Sequence, residues 1–93
     1  MFYVYIIKSG CNKYYKGFSE NPLLRLQFHN EGKSNYTSKY KDWELVALFK
    51  FDSKKDALEK EKKLKKYPTK SLIALINSDR NILQNYLGGL ENC

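Results

Sequence analysis

Glu61 stands where a carboxylate is expensive. Residues 54–66 are strong helix formers, and at about 100° per residue, with Ala57 at zero, Leu64 falls at about −20°, Glu61 at about 40° and Leu58 at about 100°. The carboxylate therefore lies inside the apolar arc and faces the protein, where leaving it unpaired costs several kcal/mol. A divalent metal would meet that need. So would Lys65, four residues on, and a rim ion pair is the plainer alternative. Asp56 and Glu59, with Lys60 and Lys63 at the same spacing, read as ordinary solvated pairs.

Arg25 and His29 are also four apart, hence on one helical face, beside the apolar pair Leu24 and Phe28. A guanidinium offers a planar fork to phosphate oxygens, and an imidazole one turn away can donate to the same group or move a proton. Taken alone the pair is weak, because a lone histidine is more often a packing or surface residue. Two tyrosines complete the set. In an extended Phe2–Ile7 segment, Tyr3, Tyr5 and Ile7 share one face and Phe2, Val4 and Ile6 the other; in its partner Lys13, Tyr15 and Gly17 share a face, so Tyr5 and Tyr15 can point at one site. Gly17 would let a helix or a nucleic-acid backbone approach closely. The plainer reading of any one tyrosine is strand packing with a satisfied hydroxyl.

The elements that must position these residues are legible from turn and cap chemistry. Residues 2–7 and 13–18 are rich in Tyr, Val, Ile and Phe, and Ser9-Gly10-Cys11-Asn12 supplies a turn, which predicts a β-hairpin. Asn21 as N-cap, Pro22 at the first helical position and Gly32 beyond the end bracket a helix over roughly 22–31, with Leu24 and Phe28 toward the core. Residues 33–42 are polar and basic and read as a surface loop; Trp43–Phe51 returns to β-formers as a third strand added after the helical crossover. Ser53 with Asp56 opens a second helix that Tyr67-Pro68 ends, followed by helices over about 69–76 and 81–87 and a loose tail from Gly88 onward. With the short last segment counted apart, the order β-β-α-β-α-α predicts an α/β fold, a small three-stranded, mainly antiparallel sheet flanked by helices, in a single domain over residues 1–87.

Composition narrows the partners. Among 93 residues, 17 Lys and Arg face 10 Asp and Glu, a formal charge of +7, which favours a polyanion such as nucleic acid. Two cysteines far apart in sequence suggest no disulfide framework, and with no signal peptide a cytoplasmic setting is expected. No run approaches the roughly 20 apolar residues of a membrane span, so no membrane partner is expected.

Taken together, Tyr3-Val4-Tyr5, then Tyr15-Lys16-Gly17, then Arg25, His29 and Glu61 in order resemble the GIY-YIG nuclease family, and more narrowly its small stand-alone bacterial branch of uncharacterised proteins. Thr37, Leu45-Val46, Glu61-Lys62 before Tyr67-Pro68, and Leu72-Ile73 followed by Asn77 match that branch, and the resemblance spans about residues 2–83. There are departures. Tyr3 replaces the first family glycine, Lys16 replaces the isoleucine, and Ser78 and Arg80 stand where the branch commonly has proline and tryptophan.

The resemblance implies a DNA endonuclease using one divalent ion, Mg²⁺ or Mn²⁺. Glu61 would be the metal ligand, Tyr5 the acceptor of the proton from water and Arg25 the phosphate clamp; Tyr15 and His29 would support the phosphate or the water, and Asn77, with Gly17, would brace the site. Lys16, Lys33, Thr37, Lys39 and Lys41 are expected to grip nucleic-acid backbone, as is the helix over 54–66 with its seven lysines and three acids. No base-reading motif is present, so cleavage is expected to be structure-preferring or weakly sequence-specific, by a monomer with a protein partner for targeting, in repair, recombination or defence. Two rival readings are a non-catalytic nucleic-acid-binding module on the same scaffold and a small ribosome- or RNA-associated protein.

Overall fold

The computed structural model describes residues 1–91, with the side chains of 90 and 91 left aside. Strand β1 (Phe2–Lys8) and β2 (Tyr14–Ser19) form the expected hairpin. Its turn closes through Ser9: the Ser9 amide donates to the Lys13 carbonyl at 2.8 Å, the Lys13 amide donates to Ser9 Oγ at 3.0 Å, and Asn12 adopts the left-handed region at φ 65°. Helix α1 (Pro22–Asn30) begins with Asn21 Oδ1 accepting from the Leu24 amide at 3.3 Å, and Gly32 beyond its end takes φ 75°. Strand β3 (Glu44–Phe51) then pairs antiparallel with β1, giving the order β2-β1-β3.

Both faces of the sheet are covered. On one, Val4, Ile6, Ala47 and Phe49 pack against Ala57 and Leu64 of α2 (Lys54–Leu64) and Leu72 and Leu75 of α3 (Thr69–Ile76). On the other, Tyr5, Ile7, Trp43, Leu45 and Leu48 pack with Leu26 of α1 and with Leu83, Tyr86 and Leu87 of α4 (Leu83–Glu91). Alternation along β1 thus divides its side chains between two cores, as the period of two requires.

The third strand is irregular. Ile6 pairs with Ala47 and Ile7 with Leu45, so Val46 is an extra residue in β3. Asn81 seals the outer edge there: its Oδ1 accepts from the amides of Leu48 (3.0 Å) and Leu83 (3.1 Å), and its Nδ2 donates to the carbonyls of Val46 (2.9 Å) and Ile76 (2.8 Å). The Ile82 amide donates to the Leu48 carbonyl at 3.0 Å, continuing the pairing.

Several local expectations change. Leu24 is 61% exposed and Phe28 only half-buried; α1 turns Pro22 and His29 inward instead, with Leu26 packed against the same core. Leu58 is 41% exposed, so the buried stripe of α2 is Ala57 and Leu64, and Glu61 sits at its margin. The pairs Asp56–Lys60 and Glu59–Lys63 do not form; among the described residues the ion pair on α2 is Glu61–Lys65 at 3.5 Å. The stretch expected to be a surface loop, residues 33–42, contains one 3₁₀ turn, Thr37–Lys39. The loose tail was placed too early, because α4 runs through Gly88 and Gly89 to Glu91, its first turns held by core packing that outweighs about 1 kcal/mol per helical glycine; residues 92 and 93 lie outside the described residues.

Candidate active site

The hydroxyl of Tyr5 lies 2.8 Å from His29 Nε2, and His29 Nδ1 lies 2.8 Å from Thr37 Oγ1. All three side chains are buried, so the imidazole is held at both nitrogens by hydroxyls away from solvent. Tyr15 closes over the pair, its ring centroid 4.9 Å from that of His29 and 6.4 Å from that of Tyr5. Arg25 comes from the same face of α1 as His29. Its guanidinium carbon stands 4.3 Å from the centre of the Phe28 ring, and its Nε is buried with no hydrogen-bond partner among the described residues. Four of the five expected residues are thus in one place.

These surroundings set the protonation states. Burial pushes the Tyr5 hydroxyl up to about 12; the Arg25 side chain, donating toward it and charged beside it, pulls the other way, while Tyr15 and Glu61 add to the rise. Burial, then the Arg25 charge, brings His29 down to about 4, so at neutral pH it is uncharged. A neutral imidazole has one donor and one acceptor nitrogen. With Tyr5 protonated, its O–H donates to Nε2 and Nδ1–H donates to Thr37; with Tyr5 ionised, Nε2–H donates to the phenolate and the Thr37 hydroxyl donates to Nδ1. Thr37 therefore serves both states of Tyr5.

Gly17 has a different task from the one expected. It is the cross-strand partner of Tyr5, and a Cβ there would overlap the Tyr5 hydroxyl and ring. The space it leaves is filled by the tyrosine itself, not by a helix or a ligand.

Glu61 reaches the site from the opposite layer. Its charge is felt at Tyr5, but among the described residues no hydrogen bond or ion pair joins it to the other four, and its partner is Lys65. At the outer edge of β2 lies a groove of about 280 Å³ lined by Tyr14, Tyr15, Lys16, Tyr36 and Lys65, to which Tyr15 alone of the five expected residues contributes. Tyr15 belongs to the tyrosine–histidine cluster and Lys65 pairs with Glu61, so the groove touches each half through one residue. Burial, then the nearby Lys65 charge, holds Lys16 below the ordinary lysine range.

Of the expected grip residues, Lys39 and Lys41 are exposed, and Lys33 pairs with Glu31 at 3.4 Å. Thr37 is fully buried and supports His29 instead, an assignment its sequence context could not reveal. Asn77 caps α3 and is exposed; the bracing asparagines are Asn81 and Asn30, the latter exchanging two hydrogen bonds with the Trp43 backbone, at 2.8 and 3.0 Å. Trp43 Nε1 in turn donates to the Thr37 carbonyl at 3.0 Å, fixing the turn that carries Thr37. The single tryptophan beside a basic loop was the available signal for that anchor.

The model of the GIY-YIG catalytic domain matches residues 1–71, which hold all five site residues. The chain belongs to the GIY-YIG domain family. Among its relatives are the UPF0213 protein spr1390 of Streptococcus pneumoniae, 33% identical over 87 residues covering 90% of this chain and 88% of the relative, and the UPF0213 protein YazA of Bacillus subtilis, 30% identical over 80 residues covering 85% and 81%. The solution structure of the UPF0213 protein BH0048 from Bacillus halodurans is similar with a TM-score of 0.57 and 27% identity, covering 92% of this chain and 94% of that one. Membership supports a nuclease-type function for this GIY-YIG chain, whose relatives are small bacterial UPF0213 proteins. Among the described residues no helix is long and apolar enough to cross a membrane.

Proposed function

We propose that the protein is a divalent-metal-dependent endonuclease that hydrolyses phosphodiester bonds in DNA, structure-preferring or weakly sequence-specific. The observation that carries this reading is the buried cluster of Tyr5, His29, Tyr15 and Arg25, with the charge of Glu61 felt at Tyr5. Arg25, stacked on Phe28 and with its buried Nε unpartnered among the described residues, is a preformed clamp for a non-bridging phosphate oxygen. Tyr5 accepts the proton from the attacking water, and His29 holds the phenolate through Nε2–H. Tyr15 walls the phosphate position.

The donor set fits a hard ion with few protein ligands. Glu61 is a lone carboxylate, and among the described residues no group of three His, Cys, Asp or Glu side chains could hold a metal, which suits Mg²⁺ or Mn²⁺ completing their shells with water and phosphate oxygens. When bound, the ion supplies Lewis-acid stabilisation to the phosphate and leaving oxygen. Exposed Lys39 and Lys41, with Lys33 and Lys16, give a sequence-independent, salt-sensitive grip.

Cleavage of branched, flap, nicked and linear DNA, with RNA in parallel, in Mg²⁺, Mn²⁺ or chelator, tests the proposal. Metal-dependent cutting that Glu61→Gln abolishes while binding persists is the expected result. One observation favours a second reading, a binding module without turnover: the Glu61 carboxylate is already held by Lys65. Binding by wild type with no cutting of any substrate would establish that reading instead.

A further inference from the structure

A second basic pocket lies on the other flank of α2 and takes no part in the reaction above. Its lining is Phe49, Lys50, Phe51, Lys60, Arg80 and Ile82, around a volume of about 360 Å³, at the lower end of the range of small-ligand sites. The three cations come from three elements: Lys50 from β3, Lys60 from α2 and Arg80 from the connection between α3 and α4. Among the described residues none of them makes an ion pair, and no carboxylate lines the pocket.

Lys60 is the informative residue. Asp56 lies one turn before it, the spacing at which a pair is ordinarily made, yet its ammonium stands 5.9 Å from the centre of the Phe49 ring instead. The far wall is rigid as well. Asn81, with all four of its amide hydrogen-bonding positions used, and the Ile82–Leu48 backbone bond clamp the connection to β3 and so fix where Arg80 and Ile82 begin. Three uncompensated cations over an apolar floor fit a ligand with a multiply charged anionic end and a flat, less polar body.

We propose that this pocket is a nucleotide site, holding a phosphate among Lys50, Lys60 and Arg80 and laying the attached sugar and base along Phe51 and Ile82. Lys60 and Glu61 are consecutive on α2, about 100° apart, so the pocket and the catalytic groove use different flanks of one helix. The nucleotide is supplied either free, as a mononucleotide, or as one unit of a strand. The assignment stands independently of cleavage, because it concerns binding without metal.

Amide chemical shifts of the full chain, in chelator and low salt, are followed during titration with a deoxynucleoside 5′-monophosphate, a short single-stranded oligonucleotide and inorganic phosphate. Saturable shifts at Lys50, Phe51, Lys60, Arg80 and Ile82, weaker for inorganic phosphate than for the nucleotide, are expected. Saturation by the mononucleotide identifies the free ligand as the source; saturation by the oligonucleotide alone identifies a strand. The double variant Lys60→Gln/Arg80→Gln, folded by its amide spectrum, should bind about tenfold more weakly, while Lys13→Gln/Lys70→Gln, an equal charge change at two exposed lysines outside the pocket, should not. Shifts confined to Tyr14–Lys16 and Tyr36, equal loss in Lys13→Gln/Lys70→Gln, or inorganic phosphate binding as tightly as the nucleotide would each overturn the assignment.

Discussion

At the scale of residues, the proposed reaction depends on how Tyr5 is held. With its hydroxyl pushed up to about 12, on the order of one molecule in ten thousand carries the phenolate at pH 8. If that form accepts the proton, the single-turnover cleavage rate should rise about tenfold per pH unit between 7 and 9. In Tyr5→Phe it should fall by about 10² to 10⁴ and lose that slope, with DNA binding retained. Gly17→Ala tests the space rather than the acid–base group. A methyl there collides with the Tyr5 ring and hydroxyl, so thermal unfolding should show a loss of about 1–3 kcal/mol together with impaired cleavage. The alternation of Tyr3, Tyr5 and Ile7 could be read from the sequence; that the glycine opposite is vacated for the tyrosine could not, because cross-strand register is set by the whole sheet.

Among the elements, those marked by local chemistry were legible and those marked by tertiary partners were not. Asn21, Pro22 and Gly32 delimit α1, Ser53 Oγ accepts from the Asp56 amide at 3.1 Å to begin α2, and Pro68 precedes α3, each acting through neighbours in sequence. The inward face of α1 was misjudged because hydrophobicity placed Leu24 inside, whereas the core receives His29, whose polarity is satisfied by Tyr5 and Thr37 from 24 residues before it and 8 after. Asn81 was read only as the start of a helix, although its partners span β3, α3 and α4. Asn81→Ala leaves two amides and two carbonyls short of a partner and should cost about 3 kcal/mol in denaturant unfolding. Amide exchange at Leu48 should accelerate before that of Val4 or Ile6 in the same variant, since the loss begins at the sheet edge.

For the whole molecule, the buried histidine couples folding to pH. His29 titrates at about 4 when folded and near 6.5 when unfolded, so between those values the unfolded chain binds more protons. Its contribution to stability is fully present above about pH 6.5 and is lost as pH falls toward 4. The midpoint of thermal unfolding should therefore drop over that window in wild type and drop less in His29→Gln. The same molecule covers both faces of its sheet and plugs the β3 edge with Asn81 and Ile82, which leaves β2 as the strand with an accessible edge among the described residues. Exposed strand edges are where sheets recruit further chains and aggregate. Here that edge is also the rim of the basic groove, so self-association and a bound polyanion compete for one place, and nucleic acid would act on this protein as a solubilising partner.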